Sequence, residues 1–377
     1  MKKNTSKIVI AAGGTAGHLF PAEALAQELK RRNYEIIWIT DARGACVNTK
    51  LKDDQRYIIN VEGINGKNTL SKLSGLAKFA CGTYQARKLL NHIKPSAVIG
   101  FGGYASAPTV MAASNLGIPT AIHEQNAVLG RANRLLAKRV NKVCVSFRQT
   151  QAMPIGVQPI YTGMPVRSGF DQTRNQNFKA PGKTGEIRVL VLGGSQGASV
   201  FSDLIPSTIK FISEPLRYRL RIDQQCRKER LDNTLNAFSD TGVCVRLQAF
   251  FDDIPELLSQ AHLVVSRSGA STVSEITYSG RPAIYVPLPH SADNHQYANA
   301  KAIAESGGGW CQEQRKLSPE LLSAQITTVL RNQSILLKAA KSAKAFGSVN
   351  ASQNLANIIC SIENTEVQNL QSLGGAA

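Results

Sequence analysis

Lys7-Ile8-Val9-Ile10-Ala11-Ala12-Gly13-Gly14-Thr15-Ala16-Gly17-His18 is an apolar run that stops at paired glycines. The form returns at Ile187-Arg188-Val189-Leu190-Val191-Leu192-Gly193-Gly194-Ser195-Gln196-Gly197-Ala198. Each reads as a strand, then a tight Gly-Gly-[Ser/Thr]-x-Gly turn, then a helix. Working outward, Pro21–Arg31 places Ala22, Leu25, Ala26 and Leu29 on one helical face, and Glu35–Thr40, Ala97–Phe101 and Thr120–His123 read as further strands. Strands alternating with helices predict a mostly parallel sheet with helices on its faces. The restart at Ile187 predicts a second such domain, with the polar stretch Met164–Gly185 as linker. The expected boundaries are 1–166, 167–348 and 349–377. The last is a C-terminal helix carrying Leu355, Ile358, Ile359 and Ile362, able to pack back on the first domain, with a frayed tail. Ligands of open α/β sheets sit at the carboxyl ends of the strands, so two domains facing across a cleft would place their glycine loops together.

Composition narrows the partners. The 377 residues are 43% hydrophobic and 19% charged, which excludes global disorder. The net charge is +18 and uneven: residues 1–166 hold 22 basic and 8 acidic side chains, residues 167–377 hold 22 and 18. An anionic partner meeting the first half is expected, whether a phosphate ligand, an acidic membrane or nucleic acid. The seven cysteines form no CxxC pair and read as free thiols in a reducing compartment. No apolar run reaches the roughly 18 residues of a membrane span. The start, Met1-Lys2-Lys3 before a short apolar run, fits a first strand better than a signal peptide.

Several loops carry chemistry. Glycine lets the backbone approach an anion, and the helix start that follows offers amide N–H groups. Neither loop is a GxGxxG fingerprint, and Gly182-Lys183-Thr184 is no P-loop, because position 177 is Asn. His18 follows the first loop at a helix start, where the positive helix end favours a neutral imidazole suited to act as a general base; a capping or packing role is the alternative. Gly100-Phe101-Gly102-Gly103-Tyr104 is a third glycine-rich strand end. His123-Glu124-Gln125-Asn126 places four polar side chains at a strand end, poor core material that suits sugar hydroxyls or loop capping. Leu263-Val264-Val265 runs into Ser266-Arg267-Ser268-Gly269-Ala270-Ser271-Thr272-Val273-Ser274-Glu275, a helix start suited to a diphosphate. Glu275, about one turn in, can accept from both hydroxyls of a ribose. Pro287-Leu288-Pro289-His290 and Asp293-Asn294-His295-Gln296 form another polar strand end. No Asp-x-Asp occurs and the six histidines are dispersed, so neither a metal site nor another cofactor is expected.

In combination and in order, Gly13–His18, Gly102–Tyr104, His123–Asn126, Gly163-Met164-Pro165-Val166-Arg167, Gly193–Ala198, Ser266–Glu275 and Asp293–Gln296 resemble the MurG family. These are the bacterial undecaprenyl-diphospho-muramoylpentapeptide N-acetylglucosaminyltransferases. The resemblance covers residues 7–360. It implies the GT-B fold, two Rossmann-like doubly wound domains facing across a cleft. It implies inverting transfer of N-acetylglucosamine from UDP-N-acetylglucosamine to the C4 hydroxyl of the muramoyl sugar of lipid I, giving lipid II for the cell wall. It places Ser195 and Ser268–Ser274 at the UDP-sugar, Glu275 on the ribose, Arg167 and the Phe251 backbone near the uracil, and Asn126 and Gln296 on the sugar. It places Thr15, Ala16 and Gly17 in substrate binding, Gly14, Gly103 and Tyr104 on the acceptor side, and His18 or Glu124 as base. Ala16 departs from the glycine often found there.

A different lipid acceptor, or a sugar-nucleotide epimerase, is the alternative; a nucleic-acid binder would leave the glycine loops unexplained. A polyprenyl acceptor implies peripheral contact with anionic lipids at the cytoplasmic face of the inner membrane. Within the basic half, Lys72–Leu90 reads as a helix with Leu73, Leu76, Ala77, Phe79 and Ala80 apolar and Lys72, Lys78, Arg87 and Lys88 basic, either an interfacial or a core-facing helix.

Overall fold

The structure, a computed structural model, describes residues 6–14, 16–45, 54–61, 69–103, 105–194 and 199–374, side chains at 16, 45, 69–74 and 365–374 aside. In chain order the first elements are β1 (Lys7–Ala11), α1 (Ala16–Arg31), β2 (Glu35–Thr40), α2 (Ala42–Ala45), β3 (Gln55–Ile58), α3 (Thr69–Ile93), β4 (Ala97–Gly100), α4 (Ser106–Asn115), β5 (Thr120–Glu124), α5 (Arg131–Leu136), β6 (Lys142–Val145) and β7 (Pro159–Tyr161). There follow α6 (Phe170–Asn175), β8 (Ile187–Leu192), α7 (Ser199–Lys210), α8 (Glu214–Arg217), β9 (Leu220–Gln225), α9 (Leu231–Phe238), β10 (Cys244–Gln248) and α10 (Ile254–Gln260). The last are β11 (Leu263–Ser266), α11 (Ala270–Tyr278), β12 (Ala283–Tyr285), α12 (His295–Glu305), β13 (Gly309–Cys311), α13 (Pro319–Arg331), α14 (Gln333–Phe346) and α15 (Ala351–Gly374).

The chain forms two units. One comprises Met1–Arg167 with Asn350–Ala377, the other Ser168–Val349. The first holds a seven-stranded parallel sheet in the order β3-β2-β1-β4-β5-β6-β7. Ile8, Val9 and Ile10 are fully buried, as expected of a strand covered on both faces. Ile8 and Ile10 pack with Leu19, Leu25 and Leu29 of α1 on one side, while Val9 packs with Ile37, Val98 and Val110 on the other. Leu355, Ala356, Ile359 and Ile362 of α15 complete the α1 side. Arg32 secures that contact, bonding Asn357 Oδ1 at 2.7 Å and the Gln353 carbonyl at 3.3 Å, and Tyr34 donates to Glu363 at 2.9 Å.

The second unit holds a six-stranded parallel sheet in the order β10-β9-β8-β11-β12-β13. Two differences from the sequence expectation emerge. Arg167, expected to open the second domain, closes the first unit. The stretch expected as a linker contains α6, whose Phe170 is buried and whose Thr173 donates to the Pro255 carbonyl at 2.9 Å. Tyr278 donates to Asp171 at 2.6 Å and Arg174 to the Tyr278 carbonyl at 3.0 Å, so this polar segment is packed structure.

Both sheets reverse their strand order at one place, between β1 and β4 in the first and between β8 and β11 in the second. Such a switch point opens a crevice at the carboxyl ends of the two strands. Four of the loops singled out in the sequence leave those four strands, and the other two leave the neighbouring strands β5 and β12.

Candidate functional site

In the first unit the loops after β1 and β4 touch backbone to backbone. Gly14 and Gly103 have φ of +83° and +80°, and a Cβ at Gly103 would lie 2.5 Å from the Gly13 carbonyl oxygen. Only glycine fits both demands at position 103. Asp41, buried at the end of β2, accepts from Gly14 N at 2.9 Å and Gly44 N at 2.7 Å, fixing the first loop from below.

His18, in the first turns of α1, is half-buried, and its Nδ1 is 3.1 Å from Gln125 Oε1. Gln125 Nε2 is 2.9 Å from the His123 carbonyl and 3.2 Å from His123 Nδ1. The His123 ring is fully buried, 3.0 Å from the Gly163 carbonyl through Nε2, and burial brings it down to about 4 from 6.5. It is therefore neutral at physiological pH. Glu124 is also buried, and its carboxylate accepts from Asn126 N at 3.0 Å, Asn126 Nδ2 at 3.1 Å, Gly130 N at 2.9 Å and Asn133 Nδ2 at 2.7 Å. Four donors on one carboxylate hold the loop between β5 and α5 in a single conformation and orient Asn126.

In the second unit Gly194 turns the loop after β8 with φ of +78°, and Gly193 N donates to Gln225 Oε1 at 3.2 Å. Across the switch point Gly269, with extended φ/ψ of −62° and 142°, caps α11. The first intrahelical bond there, Val273 N to the Gly269 carbonyl, is 2.9 Å. The amides of Ala270, Ser271 and Thr272 thus form the helix's first turn, the place where a helix presents N–H groups and partial positive charge. Glu275 lies on the next turn, 8% exposed. The Ser268 hydroxyl donates to the Gln296 carbonyl at 2.8 Å, and Asn299 Nδ2 to the Ser268 carbonyl at 3.0 Å. Gln296 in turn accepts Leu288 N on Oε1 at 3.0 Å. The loop after β11 and the start of α12 are one braced assembly. Arg267 braces it further: its guanidinium reaches the carbonyls of Val286 at 3.0 Å and Pro287 at 3.1 Å and Gln314 Oε1 at 2.7 Å. Burial lowers Arg267 to about 10, so it keeps its charge at neutral pH. Phe251 is buried under the Arg246 guanidinium, 4.9 Å from the ring centroid.

Of the residues predicted from sequence, Gly14, Gly17, His18 and Gly103 lie at the first switch point with Glu124 and Asn126 at the end of the neighbouring β5, and Ser268–Glu275 lie at the second with Gln296 in α12 after the neighbouring β12, while Phe251 follows the edge strand β10. Thr15, Tyr104 and Ser195 lie outside the described residues, as does the side chain of Ala16. Arg167 sits in the first unit with its guanidinium 4.3 Å from the Phe20 ring centroid. Sequence reasoning passed over Asp41, Asn133 and Asn299, and quoted Arg267 within its motif without a role; their partners lie on other elements, so the signal appears only once the elements are placed. Among the described residues no three His, Cys, Asp or Glu side chains come together as metal ligands, and no helix is long and apolar enough to cross a membrane.

Away from the switch point, α3 is longer than the expected helix and exposes Leu76 and Tyr84, at 60% and 59%. Between α3 and α4 lies a groove of about 380 Å³ lined by Phe79, Tyr84, Arg87 and Met111 among others. Lys88 lies 4.8 Å from the Tyr84 ring centroid.

Residues 8–145 match the model of the glycosyltransferase family 28 N-terminal domain, and residues 188–355 that of the family 28 C-terminal domain. The chain is 45% identical over 354 residues to a UDP-N-acetylglucosamine–N-acetylmuramyl-(pentapeptide) pyrophosphoryl-undecaprenol N-acetylglucosamine transferase of Paramagnetospirillum magneticum, covering 93% of this chain and 95% of that one. It is equally similar to the protein of that name from Rhodospirillum rubrum, covering 93% of this chain and 91% of the relative. Among solved structures, MurG of Acinetobacter baumannii superposes with a TM-score of 0.78 at 31% identity, over 94% of this chain and 99% of the other. The S. aureus MnaA–UDP structure shares the fold alone, with a TM-score of 0.65 at 11% identity, over 94% of this chain and 95% of that one.

Proposed function

The chain belongs to glycosyltransferase family 28, and within it we propose that it is the N-acetylglucosaminyltransferase that converts lipid I to lipid II. The observation that carries this reading is 45% identity along 354 residues to relatives named for that activity. The epimerase alternative has the fold alone in its favour, since the Listeria monocytogenes putative 2-epimerase structure is 13% identical.

The second unit serves the donor. The α11 start takes the diphosphate of UDP-N-acetylglucosamine, Glu275 the ribose hydroxyls, the Phe251 backbone the uracil, and Gln296 the sugar. The first unit serves the acceptor through the loops after β1 and β4. His18 takes the proton of the C4 hydroxyl as its oxygen attacks the anomeric carbon. The bond from that carbon to the β-phosphate oxygen breaks with its electron pair, and UDP leaves against the helix start with inversion. Glu124, engaged by four donors, shapes the loop and aims Asn126 at the sugar, leaving the proton to His18.

The acceptor's polyprenyl tail brings the enzyme to the cytoplasmic face of the inner membrane. Contact is peripheral, through the exposed α3 face around Leu76, with Lys78, Arg87 and Lys88 meeting anionic headgroups. The test is incubation with labelled UDP-N-acetylglucosamine and a lipid I analogue. Label should move to the lipid fraction only when the analogue is present; release of label without acceptor, or no transfer, overturns the reading.

A further inference from the structure

The chain of contacts from His18 through Gln125 to His123 has its hydrogens placed by two backbone carbonyls. A carbonyl oxygen accepts and never donates. Gln125 Nε2 lies 2.9 Å from the His123 carbonyl, so that end of the amide is the NH2 group and Oε1 faces His18. His18 Nδ1, 3.1 Å from that acceptor, carries the ring hydrogen. At the far end His123 Nε2, 3.0 Å from the Gly163 carbonyl, is also a donor. The bare Nδ1 of this neutral ring then receives the second amide hydrogen at 3.2 Å. One arrangement satisfies these four contacts without a flip of the amide, and the Ser146 hydroxyl, 3.4 Å from His123 Nε2, can accept a share of the same ring hydrogen.

We propose that Gln125 is a positioning residue that holds His18 as its Nδ1–H tautomer, so that the basic lone pair lies on Nε2. The proposal rests on the reading of His18 as the base that takes the acceptor proton. A base needs one nitrogen bare and the ring held still, and a neutral amide oxygen does both without stabilising the imidazolium as a carboxylate would. The nearest carboxylate in the motif, Glu124, is directed to Asn126, Gly130 and Asn133. The second amide hydrogen, spent on the buried His123, keeps the amide from rotating. Gly102 protects the pair: its φ is +85°, and a Cβ there would lie 3.2 Å from His18 Cε1, 3.3 Å from Nδ1 and 3.8 Å from Gln125 Oε1. A side chain at 102 would press the imidazole away from its acceptor. Gln125 therefore acts behind the base, where the sequence alone left its motif to sugar hydroxyls or loop capping.

Ring nitrogen NMR of 15N-histidine-labelled protein at mildly alkaline pH reports the tautomer without reference to catalysis. The parent protein should show His18 protonated at Nδ1 and His123 at Nε2. Gln125→Leu, which removes the acceptor, should turn the His18 signal into a tautomer mixture. Its kcat should fall about tenfold or more while UDP affinity stays within about twofold. Gln125→Glu keeps an acceptor toward His18 and, as the neutral acid, a donor toward the His123 carbonyl; in that form it should retain the tautomer and lose less. A parent His18 protonated at Nε2 overturns the proposal, and needs no variant to fold. Equal loss of UDP affinity and kcat in both variants also overturns it, in favour of a purely structural role. A shifted tautomer with unchanged kcat overturns His18 as the base, and the positioning role with it. Failure of the parent to transfer sugar to a lipid I analogue is a separate result that strikes the transferase reading itself.

Discussion

The hydroxyl of Ser268 donates to the carbonyl of Gln296 at 2.8 Å while its own carbonyl accepts from Asn299 Nδ2 at 3.0 Å, so the residue that leads into α11 is tied twice to α12. The helix start assigned to the diphosphate and the residue assigned to the sugar beside it are thereby set at a fixed spacing. Ser268→Ala should preserve the fold and weaken UDP-N-acetylglucosamine more than UDP, because only the sugar end loses its alignment. Calorimetric titration with both ligands measures the difference; equal weakening of the two counts against this role.

Glu275 is assigned to the ribose hydroxyls in the proposed function. Its replacement by Ala should weaken donor binding by about 1–3 kcal/mol, the scale of hydrogen bonds to a charged group. The parent should also discriminate between UDP and 2′-deoxy-UDP, and equal affinity for the two would sink the assignment.

His18→Ala should lower turnover about 10²–10⁴-fold and leave UDP affinity nearly unchanged. Should nucleotide affinity collapse with turnover, His18 is a structural part of the loop.

His123 predicts an acid limit to stability. Its folded pKa of about 4 lies below the ordinary 6.5, so between those values the unfolded chain binds more protons than the native one. Stability contributed by the neutral ring is complete above pH 6.5 and is lost as pH falls toward 4, amounting to about 3 kcal/mol. Denaturant melts across that range should show the decline, and His123→Asn should flatten part of it. An unchanged slope in that variant shows that other groups carry the acid sensitivity.

With no Asp-x-Asp in the chain and no cluster of metal ligands among the described residues, saturating chelator should leave most transferase activity. Abolition by chelator and restoration by Mg²⁺ would contradict the amide-based stabilisation of the leaving diphosphate.

Vesicles test the α3 face. Binding should require anionic lipid and weaken as salt rises, at about 1 kcal/mol per basic side chain near the headgroups. Leu76→Ser should reduce binding without loss of fold, since Leu76 is 60% exposed, whereas Phe79 lines the groove against α4 and its replacement should also cost stability. Salt-insensitive binding to neutral vesicles would remove the electrostatic part.

How much of this could be read in advance followed from burial. The strands at Ile8–Ala11 and Ile187–Leu192 announce themselves because a central parallel strand is covered on both faces and carries an unbroken apolar run. The switch-point loops are equally legible, since φ values near +80° at Gly14, Gly103 and Gly194 demand the residue the sequence supplies. The helix at Phe170–Asn175 was hidden because only Phe170 and Thr173 of its six residues are buried, and its partners, Pro255 for Thr173 and Tyr278 for Asp171, lie far along the chain. The bridging role of Gln125 was hidden for the same reason. Its motif was visible, but its partner His18 lies 107 residues earlier and meets it only when β1 and β5 share a sheet.

The return of α15 to α1 makes the first unit discontinuous in the chain, and this orders its biosynthesis. A ribosome finishes β1 to β7 early, but the apolar cluster that α1 forms with β1 lacks Leu355, Ala356 and Ile359 until α15 is made. All of Ser168–Val349 is translated in between, a delay on the order of ten seconds or more at cellular elongation rates. During that interval the nascent first unit carries an uncovered apolar seam, and the contiguous second unit is the one able to complete its core first. The final helix is thus a clasp that closes the earliest-made part of the molecule last, and a nonsense codon before residue 350 would release a chain with that seam open.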